Sequence, residues 1–124
     1  MLIDDNPHDN FFHERAIKAY DESDIVIAKE SGTAALEYLN AGTDPRSDLI
    51  FLDINMPGMN AWEFLEKYVL LDQTIKGQPI IIMLTTSGNP FDLAKAKEWD
   101  CISDFITKPL TKEKMKEIAD KYFL

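Results

Sequence analysis

The sequence predicts an α/β domain, a doubly wound parallel sheet of (βα)5 type spanning residues 1–124. Three observations carry this. Short apolar runs, rich in β-branched residues and nearly continuous, recur five times, as in strands covered on both faces. The segments between them carry helix-capping signals and helical spacing of apolar residues. A chain of 124 residues with 45% hydrophobic content and seven Phe has enough apolar material for one full core.

In chain order, Met1–Ile3 forms the first apolar run and leads into Asp4-Asp5. About Asp9 to Tyr20 reads as the first and least regular helix. Ile25-Val26-Ile27-Ala28 is the second run. Ser31 then caps a helix that shares Ala35, Leu36 and Leu39 on one face and stops at Gly42. Leu49-Ile50-Phe51-Leu52 ends at Asp53, and Asn60 with Glu63 forms a capping box before Trp62, Phe64, Leu65 and Tyr68. Ile80–Leu84 ends at Thr85, followed by Thr86 and Ser87. Asn89-Pro90 supplies a cap and a proline at the first helical position, where its missing N–H costs nothing. Phe105-Ile106-Thr107 ends at Lys108-Pro109, and Thr111 opens a last helix with Met115, Ile118, Ala119 and Tyr122 inward. The first run is short for a central strand, which ordinarily has about 5–6 residues, so the first strand is expected to be truncated at its N-terminus.

The charge balance excludes some functions. With 22 acidic and 13 basic residues the net charge is −9, which repels phosphate backbones and anionic lipid. Lys108, Lys112, Lys114, Lys116 and Lys121 are interleaved with Glu113, Glu117 and Asp120, the pattern of a solvated helix face rather than a nucleic-acid site. Cys101 is the single cysteine, so no intrachain disulfide forms. No apolar run approaches the roughly 20 residues that span a bilayer, and no signal peptide is visible. A cytoplasmic setting without membrane or nucleic-acid contact is expected.

In open α/β sheets, ligands bind outside the carboxyl ends of the strands. Those ends carry Asp4-Asp5, Asp53-Ile54-Asn55, Thr85-Thr86-Ser87 and Lys108-Pro109. Carboxylates held close together repel unless a cation sits among them, and a hard divalent ion with oxygen ligands meets that need. Such an ion and Lys108 would attract a phosphoryl group, Thr85 would offer a hydroxyl, and one carboxylate could act as nucleophile to form an acyl phosphate. The lysine before Pro109 must point back over the sheet edge while the chain turns into the last helix, so a cis Lys108–Pro109 bond is predicted.

Four segments, in order and at these separations, resemble the response-regulator receiver domains of two-component signalling: Leu2–Asn6, Asp48–Met59, Leu84–Thr86 and Phe105–Leu110. The stretch Asn60–Leu65 is similar to receivers that stand alone. The resemblance covers essentially the whole chain and implies a flavodoxin-like strand order, 2-1-3-4-5. It implies that Asp53 is the phosphoacceptor, charged from a phosphohistidine on a histidine kinase or histidine phosphotransfer protein. Asp5, Asp53 and the backbone carbonyl of Asn55 would ligate Mg²⁺, or Mn²⁺ in its place, with Asp4 acting through a metal-bound water. Lys108 would pair with a phosphoryl oxygen and, before that, with Asp53. Thr85 would swing toward the phosphoryl group and Phe105 would follow, reshaping the face made by the fourth helix, fifth strand and last helix for a protein target. Ala61 stands where the family often has Gly, and Phe105 where Tyr is more familiar. Such a protein is no enzyme beyond its own phosphorylation and dephosphorylation.

Two other readings compete. A Mg²⁺-dependent phosphatase would want a second acid two residues after the nucleophile, and position 55 is Asn. A degenerate receiver would lack part of the set, yet every acidic, hydroxyl and lysine position is filled. His8 and His13 read as solvated residues, Trp62 and Trp99 as helix packing, and Cys101 as a buried or half-buried thiol.

Overall fold

A computed structural model describes residues 1–42, 47–77, 79–86 and 89–123. Its elements are β1 (Leu2–Ile3), α1 (Pro7–Tyr20), β2 (Ala28–Lys29), α2 (Gly32–Ala41), β3 (Leu49–Asp53), α3 (Ala61–Tyr68), α4 (Gln73–Lys76), β4 (Ile80–Thr85), α5 (Pro90–Ala96), β5 (Ile102–Thr107) and α6 (Lys112–Tyr122). All strand pairs are parallel and the order is β2-β1-β3-β4-β5, the doubly wound order. Side-chain alternation sends Ile3, Ile50, Leu52, Ile81 and Met83 to one face, against Ala35 and Leu39 of α2 and Trp62, Phe64 and Leu65 of α3. Leu2, Phe51, Ile82 and Leu84 go to the other, against Ile17 of α1 and Met115 and Ile118 of α6. β1, β3 and β4 are thus covered on both faces, which is why their runs read as continuous rather than alternating.

The helix starts follow the caps. Ser31 accepts the amide of Ala34, Asn60 and Glu63 form a reciprocal capping box, Asn89 accepts the amide of Phe91, and Thr111 that of Lys114. Gly42 ends α2 at a φ of 63°, a left-handed conformation that glycine adopts without penalty.

Four expectations need correction. The second strand is Ala28–Lys29 rather than residues 25–28, although the Ile27 carbonyl still accepts the Leu2 amide at 2.8 Å. The fifth strand begins at Ile102, three residues before its predicted start, because Ile102 and the polar Asp104 pair with Ile81 and Ile82 of β4, the register skipping Ser103 between them. A sixth helix, the single turn α4, interrupts the β3-to-β4 crossover. Asp72 caps it through the Thr74 amide and Gly77 ends it at a φ of 72°, a signal too short for apolar periodicity to reveal. The first helix starts at Pro7, earlier than predicted, because Asn6 accepts the amides of His8 and Asp9 and Pro7 takes the first helical position.

β1 has two residues, paired on both sides, with Leu2 opposite Ala28 and Phe51. The Lys108–Pro109 peptide bond is cis, and the Lys108 amide donates to the Thr85 carbonyl at 2.6 Å, tying the ends of β4 and β5 together.

Candidate functional site

The sheet order sets the ends of β1 and β3 side by side, with β4 and β5 next along the edge, and the chemistry-bearing side chains follow. Asp4 lies just past β1 and is 4% exposed. Its Oδ1 accepts the Asn6 amide at 3.0 Å, and its carbonyl accepts from Asn10 Nδ2 at 2.9 Å. Asp5 beside it is exposed. Asp53, the last residue of β3, is buried. Carboxylate oxygens of Asp4, Asp5 and Asp53 lie within 4.8 Å of one another, a donor set suited to a hard, oxygen-preferring divalent cation. Asn55 follows, exposed, in the loop after β3, between the buried Ile54 and Met56, and Gly58 turns that loop at a φ of 83°.

Lys108 enters from the end of β5. Its ammonium donates to Asp4 Oδ2 at 2.6 Å and to Asp9 Oδ2 at 3.0 Å, and stands 3.5 Å from Asp53 Oδ1. The resemblance pairs the resting lysine with Asp53; in the structure its shorter contacts are to Asp4 and Asp9. Thr85 is 1% exposed at the end of β4. Phe105, opposite Met83 in the β4–β5 register, is half-buried and packs on the cluster containing Trp62, Trp99 and Ala96. Ser87, expected to follow the fourth strand, lies outside the described residues.

The charges perturb one another. Burial, together with the neighbouring Asp4 and, more weakly, Asp5, pushes the Asp53 carboxyl up to about 6, with Lys108 opposing. Burial alone would pull Lys108 down, but its hydrogen bonds to Asp4 and Asp9 and the charge of Asp53 hold it above the ordinary lysine value. A carboxylate whose proton is held that tightly near neutrality is one whose charge is undercompensated.

Three residues of α1 belong to this site and were not singled out as such. Asp9 bonds Lys108, Asn10 bonds the Asp4 backbone, and His13, expected to be solvated, is 2% exposed. Burial pulls its imidazole below the ordinary range and the Lys108 charge adds to that. The available signal was Asn6-Pro7, a cap and first-turn proline of the same kind as Asn89-Pro90. It starts the helix early enough to put Asp9 in the first turn. His8 is exposed, and Trp62 is buried beneath the Lys95 ammonium, which sits 5.1 Å from its ring.

Comparison with known proteins agrees with this geometry. The sequence model of the response regulator receiver domain matches residues 1–120. The chain is 38% identical, over 89% of its length, to a protein-glutamate methylesterase/protein-glutamine glutaminase of Burkholderia thailandensis. It is 33% identical, over 82% of its length, to hybrid signal transduction histidine kinase L of Dictyostelium discoideum. It spans only 29% and 6% of those two proteins, so their whole activities are their own. The crystal structure of a two-component response regulator from Cytophaga hutchinsonii superposes with a TM-score of 0.85 at 32% identity, covering 97% of this chain and 92% of that one. With an acidic trio and a lysine at one edge of a 2-1-3-4-5 sheet, and a family match over nearly the whole length, the chain belongs to the response regulator receiver domains of two-component phosphorelay signalling.

Proposed function

We propose that Asp53 accepts a phosphoryl group from a phosphohistidine on a histidine kinase or phosphotransfer protein, in a Mg²⁺-dependent reaction, and that phosphorylation changes the face formed by α5, β5 and α6. The observation that carries this is the convergence of Asp4, Asp5 and Asp53 within 4.8 Å, with the Lys108 ammonium 3.5 Å from Asp53. Of the three, Asp53 alone is a strand residue, at the end of the central strand β3, with the Asp4 carboxylate and Lys108 beside it.

One Asp53 carboxylate oxygen attacks phosphorus. The P–N bond breaks, its electron pair passes to the imidazole nitrogen, which takes up a proton, and an acyl phosphate remains. Mg²⁺ held by Asp4, Asp5, Asp53 and the Asn55 carbonyl, or Mn²⁺ in its place, would neutralise charge on the transferred oxygens. Lys108 supplies a second positive charge to one of those oxygens, and the Thr85 hydroxyl supplies a hydrogen bond. Thr85 and Phe105 occupy neighbouring strands two residues apart in register, since Met83 faces Phe105 and Thr85 faces Thr107. Movement of Thr85 toward a phosphoryl group would open space beside Phe105, which packs against the core cluster that includes Ala96 of α5. Phe91, 85% exposed, and Leu93 on the same helix offer an apolar surface to a protein target. If the two arrangements differ by a few kcal/mol, the phosphoryl contacts can reverse their populations. No helix among the described residues is long and apolar enough to cross a membrane, and a cytoplasmic setting without nucleic-acid contact belongs to the same reading.

Acetyl phosphate with Mg²⁺ should add one phosphoryl mass to the wild type, removable by hydroxylamine, and none to Asp53→Asn. Beryllofluoride should shift amide resonances at Phe105 and along α5 and α6. Unmodified wild-type mass would overturn the phosphoacceptor, and unmoved amide shifts would overturn the switch.

A further inference from the structure

We propose that Asp9 is a positioning residue: it holds the Lys108 ammonium toward α1 in the resting protein and is exchanged for a phosphoryl oxygen when Asp53 is charged. This rests on the phosphoacceptor reading above and adds a residue outside the acidic trio.

An ammonium has three protons to donate. Two are committed, to Asp4 Oδ2 at 2.6 Å and Asp9 Oδ2 at 3.0 Å, while Asp53 Oδ1 at 3.5 Å is too distant for a strong bond. The two committed partners are unlike. The Asp4 side chain is 5% exposed and is fixed by the Asn6 amide, with its own carbonyl fixed by Asn10. The Asp9 side chain is 38% exposed, so water can replace the ammonium there at little cost. A phosphoryl group arriving at Asp53 competes for an ammonium proton, and Asp9 is the partner that yields.

Asp9 also adds a carboxylate to a site that already holds Asp4, Asp5 and Asp53 around one lysine. A phosphoryl group brings about two further negative charges to the same place. Asp9 therefore opposes capture twice, by occupying Lys108 and by repulsion, and its presence lowers the charged fraction at a given donor level. Its place in the first turn of α1 fixes the geometry: Asn6 accepts the Asp9 amide at 3.3 Å, so the cap that starts the helix also aims the carboxylate.

The test is beryllofluoride binding at saturating Mg²⁺ and low ionic strength, followed by amide NMR, for wild type, Asp9→Asn, Asp9→Glu and Glu14→Gln. Glu14 lies on the same helix and serves as a charge control. Asp9→Asn should bind about five- to tenfold more tightly, while Asp9→Glu and Glu14→Gln should stay within about twofold of wild type. In the resting protein the Lys108 side-chain ¹⁵N signal should shift in Asp9→Asn and hold in Glu14→Gln. Unchanged or weaker binding by Asp9→Asn, an equal gain from Glu14→Gln, or an unmoved Lys108 signal would each overturn the role. Wild type that takes no beryllofluoride would overturn the phosphoacceptor reading and this role together; wild type that binds while Asp9→Asn matches it overturns this role alone.

Discussion

Asp53 is a buried carboxylate whose charge the surrounding protein only partly balances. Its carboxyl is pushed up to about 6 from an ordinary 3.8, first by burial and then by Asp4. The folded chain therefore holds that proton more tightly than the unfolded chain, and ionisation at position 53 opposes folding. The resulting stability is fully present below about pH 4 and is lost as pH rises through about 6. In metal-free buffer, Asp53→Asn should be more stable than wild type at pH 7 by on the order of 1–2 kcal/mol. The difference should shrink as pH falls toward 4, a trend that paired urea melts across pH would read directly. Equal stability at pH 7 would show that Lys108 compensates Asp53 fully. His13 has the opposite sign. Its imidazole is depressed by burial, so it costs stability as pH falls through its ordinary value of 6.5, which is why the difference between the two proteins is the informative quantity.

The elements were legible where a side chain announces a backbone event. Ser31, Asn60 with Glu63, Asn89 with Pro90, and Thr111 each start a helix where the sequence places it, because capping is local chemistry. Asn60→Ala should cost about 1 kcal/mol, and much of that should disappear in a Glu63→Ala background, since each half of the box satisfies the other's amide. Phe64→Ala, four residues along the same helix and 0% exposed, should cost about 3–5 kcal/mol by leaving a cavity. The ends of β2 and β5 were not legible, because pairing with a neighbour rather than local propensity decides them. Asp104 is a strand residue only because β4 lies alongside. In the site, the strand-end residues Asp4, Asp5, Asp53, Thr85 and Lys108 could be named from the pattern. Asp9 could not, since its contact with Lys108 joins residues 99 apart and no periodicity encodes it.

For the whole molecule, the proposed cation site would make folding and cation binding one equilibrium. The carboxylates come within 4.8 Å only when β1 and β3 are paired, so a cation that relieves their repulsion binds the folded chain alone. Mg²⁺ at about 100 times its Kd should stabilise the protein by about 2.7 kcal/mol, seen as a higher melting temperature. Asp5→Ala should abolish most of that gain. A melting temperature indifferent to Mg²⁺ would remove the metal from the proposed chemistry.

β5 lies at an edge of the sheet, and it is the strand whose end delivers Lys108. Edge strands open at lower free energy than central ones, so native-state hydrogen exchange should divide this domain unevenly. When β5 peels from β4, the Lys108 amide leaves the Thr85 carbonyl and the ammonium leaves Asp4 and Asp9 in the same event. The open form leaves Asp4, Asp9 and Asp53 without their shared counter-charge, and a phosphoryl group carried on Asp53 would lose its contact with the Lys108 ammonium. On the proposed function, phosphorylation would hold this edge shut from its far end: amide protons of Ile102–Thr107 should exchange more slowly in the beryllofluoride complex, while those of Leu49–Asp53 change less. The breathing of a single outer strand would then report whether the site behind it is charged.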